Sequence, residues 1–330
     1  MTNTYIAGTG FHVPERIVTN KDLESMMDTS DEWIRTRTGI EERHFAAEGE
    51  GPSDLAIPAT TQALEEAGLG VEDIDFIIFA TSTPDFYAPG SGVLLQHKMG
   101  FRQIGALDVR VQCSGFIYGL SIADQYIKTG TFRNILLIGA EVQSTVINLT
   151  DEGRDVSVIF GDGAGAVVLQ GTDEQRGILS THMHSQGEHA EELFVRLPAS
   201  TQVPSITAKD VDAGRHHPYM NGREVFKNAV VRFPEVIKEA LEANQLTVDD
   251  LALVIPHQAN IRITKEVSRR MGISEKLVYS NIHKYGNTTA ASVPIALAEA
   301  RREGRIAGGD NIVMAAFGSG FTWASALVKW

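Results

Sequence analysis

Ala63-Leu-Glu-Glu-Ala-Gly-Leu-Gly-Val-Glu-Asp-Ile-Asp-Phe-Ile-Ile-Phe-Ala80 reads as the tail of an amphipathic helix, a Val-acid-Asp turn and an apolar strand. The same sentence recurs at Ala240-Leu-Glu-Ala-Asn-Gln-Leu-Thr-Val-Asp-Asp-Leu-Ala-Leu-Val-Ile-Pro-His257, 177 residues further on. The offset persists. Asn134-Ile-Leu-Leu-Ile-Gly stands over Asn311-Ile-Val-Met-Ala-Ala at the same spacing. Each copy then closes on a Gly-rich turn and a strand, at Phe160-Gly-Asp-Gly-Ala-Gly-Ala and at Phe317-Gly-Ser-Gly-Phe-Thr-Trp. Continuous apolar strands alternating with helices point to an α/β fold with buried sheets. The repeat predicts two similar halves packed face to face. We place one at residues 1–172 and the other at 223–330, joined by an irregular cap or connection, 173–222, rich in His, Ser, Gly and Pro.

The chain has 330 residues, 43% of them hydrophobic, enough to bury a large core. A net charge of −13 disfavours nucleic acid as a partner. The N-terminus, Met-Thr-Asn-Thr-Tyr-Ile-Ala-Gly, lacks the basic and apolar regions of a secretory leader, and no apolar run approaches a membrane span. A cytoplasmic protein is expected. A single cysteine excludes an intramolecular disulfide and a Cys-cluster metal site.

That cysteine, Cys113, sits in Ala106-Leu-Asp-Val-Arg-Val-Gln-Cys-Ser-Gly-Phe-Ile-Tyr-Gly-Leu-Ser-Ile-Ala-Asp-Gln-Tyr-Ile127. Leu107 to Val111 reads as a strand, and Phe116, Leu120, Ala123 and Ile127 recur at helical spacing. Cys113 therefore falls at the helix start, where free N–H groups favour a thiolate and lower its pKa. In the other half, Asn287 follows a predicted strand, Leu277 to Asn281, at nearly the corresponding place, 174 residues after Cys113. Pro294 lies too deep to be the first helical residue, so it marks a kink or an irregular first turn. His257 ends the strand Leu251 to Pro256. Cys, His and Asn at matched points of a duplicated fold are a set for acyl chemistry. A thiolate attacks a thioester, an imidazole and an amide donate to an enolate oxygen, and the amides of Gly318-Ser319-Gly320 suit an oxyanion hole. Each piece also has a plain structural reading: a buried thiol, a satisfied strand-end histidine, turn chemistry at Gly286-Asn287.

Six segments, in order across nearly the whole chain, carry a resemblance. They are Thr29-Ser-Asp-Glu-Trp-Ile-Arg-Thr-Arg-Thr-Gly-Ile40, Gln112-Cys-Ser-Gly-Phe116, Phe160-Gly-Asp-Gly-Ala-Gly-Ala166, Pro256-His-Gln-Ala-Asn-Ile-Arg262, Tyr285-Gly-Asn-Thr288 and Phe317-Gly-Ser-Gly-Phe-Thr-Trp323. With them the chain resembles the β-ketoacyl-acyl-carrier-protein synthase III enzymes of the thiolase fold, a duplicated five-layered α-β-α-β-α arrangement.

The resemblance implies that Cys113 takes an acyl group from acyl-coenzyme A, while His257 and Asn287 hold malonyl-acyl carrier protein as it decarboxylates. The amides of Cys113 and Ser319 would form the oxyanion hole; the family often has glycine where Ser319 stands. Coenzyme A binding carries over onto Trp33, Arg37, Arg154, Gly222, Phe226 and Asn260. An indole or phenyl ring suits adenine, and arginines suit phosphates; core packing is the plain alternative for Trp33. The basic helix face of Arg262, Lys265, Arg269 and Arg270, with Lys227, suits an acidic carrier protein. No metal and no cofactor beyond the thioester substrate is implied, and a homodimer is.

Many members carry phenylalanine before the proline of the segment matching Asp85-Phe-Tyr-Ala-Pro-Gly90. It crosses the dimer interface and closes the partner's acyl pocket. Ala88 stands there in this chain, flanked by Phe86 and Tyr87, which are able to refill the space. The smaller residue predicts primers longer than acetyl, each buried methylene being worth about 0.8 kcal/mol. Same-fold alternatives are condensation or acyl transfer in secondary metabolism and head-to-head condensation of long chains. The last calls for an extra base near Cys113, and the sequence identifies none. A scaffold protein retaining the fold is the alternative from another class.

Overall fold

The computed structural model describes residues 3–330, so Met1 and Thr2 of the N-terminal segment read above lie outside the described residues. Two sheets dominate. The first has the order β1 (Asn3–His12), β7 (Gly163–Thr172), β6 (Asn134–Glu141), β4 (Phe76–Ala80), β5 (Gly105–Val109). The second has the order β11 (Leu253–Pro256), β12 (Asn311–Gly318), β13 (Thr322–Lys329), β8 (Gly177–Ser185). Two short ribbons lie outside them. One joins β2 (Arg16–Thr19) to β3 (Glu42–Phe45), the other β9 (Leu193–Val195) to β10 (Pro218–Met220).

The repeat is visible in the register. Ile77 pairs with Leu136 in parallel in the first sheet, and Val254 pairs with Val313 in parallel in the second, every residue displaced by 177. In both sheets the next two strands add antiparallel. Helices Gly115–Lys128 and Ser292–Arg302 lie between the sheets. Phe116, Leu120, Val293 and Leu297 share one apolar cluster with Ile78 and Leu137 of the first sheet and Ile255 and Met314 of the second. Helix Pro52–Ala67 covers the outer face of the first sheet, and helices Gly222–Ala243 and Ile261–Met271 the outer face of the second. These are the five layers of the thiolase arrangement. Side chains such as Phe116, Ile117 and Leu120, fully buried, each stabilise the sandwich by about 1.5–3 kcal/mol.

Three local readings change. The strand before Cys113 is Gly105–Val109 rather than Leu107–Val111, because Gln112 turns the chain at φ +42° and the strand must end earlier. The predicted strand Leu277–Asn281 is reduced to one bridge, Val254 with Val278. The Gln258 side chain takes the place of a neighbouring strand there, its Oε1 accepting from Ser280 Oγ (3.0 Å) and Asn281 N (3.2 Å). Within 173–222, read as irregular, β8 is a full member of the second sheet. Pro294 falls in the first turn of helix Ser292–Arg302, after an irregular 3-10 turn at Thr289–Ala291. Of the two outcomes its position left open, an irregular start and a kink, this is the irregular start; its missing N–H costs nothing there.

Candidate functional site

Cys113 sits in a 3-10 turn, Gln112–Ser114, that feeds helix Gly115–Lys128. Gln112 at φ +42° is a strained entry for a non-glycine residue, of the kind found where a side chain must be aimed. The turn packs against the end of β12 and against the Thr289–Ala291 turn. Gly318 comes so close that a Cβ there would lie 2.6 Å from the Cys113 Cβ and 2.8 Å from Sγ. Only glycine lets β12 end against the thiol. Ser114 Oγ, which donates to the Thr322 carbonyl at 3.3 Å, ties the same turn to the start of β13.

The expectation of a stabilised thiolate does not hold. Burial pushes the Cys113 thiol up to about 12, and the nearby Glu141 carboxyl adds to the rise. The backbone N–H groups of Cys113 and Ser319 act the other way without overcoming burial. Resting Cys113 is a thiol. The close approach of Gly318 sets its neighbour Ser319 by the thiol. The Ser319 side chain points elsewhere, its Oγ donating to the Leu193 carbonyl, so a serine serves at this position as well as a glycine.

His257 follows β11 directly, and its backbone N–H donates to Ala315 O of β12 at 2.7 Å. That backbone bond fixes the root of the imidazole beside β12. The ring is buried, its Nδ1 lies 2.5 Å from Ser292 Oγ, and its Nε2 has no partner among the described residues. Burial lowers its pKa to about 3, so the imidazole is neutral. Asn287, in the same half as His257, is held by residues of the first half. Its N–H donates to Ile159 O (2.7 Å) and its carbonyl accepts from Gly161 N (3.1 Å). Its Oδ1 accepts from Thr289 N at 2.9 Å. The following turn lies on the first sheet at Gly139, where a Cβ would stand 2.4 Å from Ala290 O. The structure thus brings the Cys113 turn, the end of β12 beside His257 and the turn after Asn287 together at the ends of the two central helices.

Trp33 is half-buried on helix Asp31–Thr38, with the Arg37 guanidinium 4.3 Å and the Arg154 guanidinium 5.1 Å from its ring. Gly222 opens helix Gly222–Ala243 and Phe226 lies one turn on. Asn260 caps helix Ile261–Met271, its Oδ1 accepting from Arg262 N at 2.9 Å. That helix packs on helix Asp31–Thr38, and Arg262 lies 6.0 Å from the Phe226 ring. The residues expected to hold coenzyme A and those expected to dock a carrier therefore form one continuous rim. Its charge is smaller than the sequence suggested. Arg269 and Arg270 both bond Glu266, which they hold down at about 2, and Lys227 pairs with Glu224 at 3.4 Å. Arg262 and Lys265 stay exposed without an acidic partner among the described residues.

Phe86, Tyr87 and Ala88 are all exposed. Their loop is anchored to β5, where the Asp108 carboxylate accepts from Ser91 N (2.6 Å) and Gly92 N (2.9 Å). β5 is the outermost strand of its sheet.

Two residues escaped the sequence reading. Ser292 fixes the His257 ring. Glu141 is the carboxyl near Cys113 that the sequence did not identify; it ends the apolar run Asn134-Ile-Leu-Leu-Ile-Gly-Ala-Glu, and a charge closing a fully buried strand was the available signal. Among the described residues no group of three or more His, Cys, Asp or Glu is arranged to hold a metal ion, and no helix is long and apolar enough to cross a membrane.

Residues 107–187 match the family described as 3-oxoacyl-[acyl-carrier-protein] synthase III, and residues 241–330 match the C-terminal region of the same family. A β-ketoacyl-[acyl-carrier-protein] synthase III of Caldanaerobacter subterraneus subsp. tengcongensis is 47% identical over 325 residues, 98% of this chain and 97% of the relative. The chain belongs to the β-ketoacyl-acyl-carrier-protein synthase III family. Solved structures agree. The 3-oxoacyl-[acyl-carrier-protein] synthase III of Aquifex aeolicus superposes with a TM-score of 0.91 at 42% identity, covering 99% of this chain and 100% of the other. The priming β-ketosynthase of the R1128 polyketide pathway gives 0.92 at 34% identity, covering 99% and 96%. As a synthase III this chain is an acyl-transferring condensing enzyme, of the kind that carries out the initiating condensation of fatty acid synthesis.

Proposed function

We propose that the chain joins an acyl-coenzyme A primer to malonyl-acyl carrier protein through an acyl thioester on Cys113. The observation that carries this reading is the close packing of Gly318, and with it Ser319, on the buried Cys113 sulfur. The Cys113 and Ser319 N–H groups, which favour the thiolate, would serve the carbonyl oxygen of a thioester under attack as it gathers charge. In the first step a C–S bond forms to Cys113 and the C–S bond to coenzyme A breaks. The proton of the resting thiol ends on the departing coenzyme A sulfur, so the exchange balances without a cofactor.

In the second step the malonyl carboxylate leaves as carbon dioxide and its electron pair passes into an enolate. On His257, Nε2 is the atom left without a partner, and in the tautomer that accepts the Ser292 hydroxyl at Nδ1 it carries the ring hydrogen; this is the tautomer the reaction calls for. That hydrogen and the Asn287 amide stabilise the enolate oxygen. A neutral ring held far below its usual pKa is a poor base and a lasting donor, which decarboxylation requires. The enolate carbon then attacks the acyl group, the bond to Cys113 breaks, and the sulfur regains a proton from solvent.

Trp33 between Arg37 and Arg154, continuous with Phe226 and Asn260, supports this rim as the seat of the nucleotide of coenzyme A. Exposed Arg262 and Lys265 beside it suit an acidic carrier protein. Exposed Phe86 and Tyr87 beside the outermost strand β5 support a homodimer across that edge, with Ala88 leaving room for primers longer than acetyl. A second reading, priming for a secondary pathway, is favoured by the likeness to the polyketide priming synthase. A panel of acyl-coenzyme A donors against malonyl-carrier protein and malonyl-coenzyme A, with product mass read directly, tests the proposed reaction. Condensation onto the carrier protein supports the proposal, and turnover with malonyl-coenzyme A alone sinks it.

A further inference from the structure

The duplication sets two strand ends over the site. β6 ends at Glu141 and β12 at Gly318, residues 177 apart and so counterparts. Gly318 presses on the turn that carries Cys113, whereas Glu141 faces the turn that follows Asn287. Glu141 is fully buried and closely held. Ser82 N–H donates to both of its oxygens (3.0 and 3.1 Å). Ser82 Oγ (2.9 Å) and Thr83 Oγ1 (2.7 Å) donate to Oε2. On the far side Ala290 N lies 3.5 Å from Oε1. Gln143, two residues on, donates to Thr289 Oγ1 at 2.9 Å. The loop at Ser82 and Thr83 runs straight on to Phe86, Tyr87 and Ala88.

We propose that Glu141 is a positioning residue that locks the Asn287 turn to the acyl-gate loop and sets a buried carboxyl across the Thr289–Ala291 turn from the Cys113 turn. This rests on the reading of Cys113 as the acyl carrier. Every group meeting Glu141 is a hydroxyl or an amide, with no Lys or Arg among the described residues. Burial raises its own pKa to about 7, so near neutrality it is partly ionised and opposes a thiolate at Cys113. His257, the other ionisable side chain of the site, is neutral and adds no charge. Glu141 thus adds to burial in keeping the nucleophile protonated at rest, while it fixes the turn that follows Asn287.

Two variants of the full chain test this. Glu141→Gln keeps an acceptor and removes the charge. The pH profile of Cys113 alkylation by iodoacetamide, read by mass, is expected to move to lower pH, with labelling about tenfold faster at a fixed pH near 8, as loss of a like charge demands. Glu141→Ala removes the tether. Its kcat for malonyl-thioester decarboxylation is expected to fall at least tenfold further than its rate of Cys113 acylation, with KM little changed. If that variant does not fold, Thr83→Val removes the 2.7 Å bond and is expected to show the same split, about threefold. An alkylation profile superimposable on that of the unmodified enzyme, or equal loss of both half-reactions, overturns the proposal. Failure of the unmodified enzyme to form any acyl-Cys113 refutes the underlying reading instead, and the alkylation arm still reports on Glu141.

Discussion

Gly318→Ala puts a methyl group where the structure leaves no room. The added Cβ would stand 2.6 Å from the Cys113 Cβ and 2.8 Å from its sulfur, against an ordinary contact of 3.4 Å or more. One of the two segments must therefore move by up to about 0.8 Å, because rotating the Cys113 side chain relieves the contact to Sγ but not the one to Cβ. Overpacking of this kind costs about 1–3 kcal/mol of stability. The larger effect falls on chemistry. The sulfur and the Ser319 amide are displaced relative to each other, and misplacement by about 1 Å costs about a hundredfold in rate. Acylation of Cys113 by acyl-coenzyme A is expected to slow about 30- to 100-fold, measured as single-turnover adduct formation by intact mass. Thermal melts run in parallel should show a folded protein. Gly187→Ala is the control, since no atom lies within 4 Å of the position its methyl group would take and its rate should not change. Acylation of Gly318→Ala within about threefold of the unmodified rate would refute the claim that Gly318 and Ser319 shape the site.

Ser292→Ala frees the His257 ring; malonyl-thioester decarboxylation should fall about tenfold, the range of one charge-stabilising hydrogen bond, while acylation of Cys113 changes little. Ala88→Phe should shift the steady-state preference towards acetyl-coenzyme A and depress rates with octanoyl- and longer donors, each methylene excluded being worth about 0.8 kcal/mol; an unchanged chain-length profile would remove Ala88 from the gate. Arg262→Glu with Lys265→Glu should raise KM for malonyl-carrier protein at low salt and leave kcat alone, since both side chains are exposed and lack an acidic partner among the described residues. Equal loss in the acylation half-reaction would instead assign them to coenzyme A.

The duplicated fold was legible because its decisive strands are buried on both faces. Phe76–Ala80 and Leu253–Pro256 are apolar throughout, so the repeat survives in the sequence. β8 was not legible. It is an edge strand with one partly open face, and Gly177-Ile-Leu-Ser-Thr-His-Met-His-Ser185 carries polar residues that imitate a loop. The predicted strand at Leu277–Asn281 failed because the Gln258 side chain, distant in sequence, supplies the bonds a neighbouring strand would. Cys113, His257 and Asn287 could be found from matched positions in the two halves. The ionisation of Cys113 could not, since a helix start shows in sequence while the burial of the thiol and the charge of Glu141 do not. The pairing of Glu266 with Arg269 and Arg270 was within reach, because spacings of three and four on a helix bring those side chains together.

Whether Cys113 carries the acyl group is decided by rapid-quench mass spectrometry of the full enzyme. After mixing with acyl-coenzyme A, one acyl group is expected on the peptide that contains Cys113. Addition of malonyl-carrier protein should then discharge it as β-ketoacyl-carrier protein, and Cys113→Ser should show neither event. An acyl group carried at any other residue, or condensation that persists in Cys113→Ser, would overturn the role given to this thiol and the mechanism built on it.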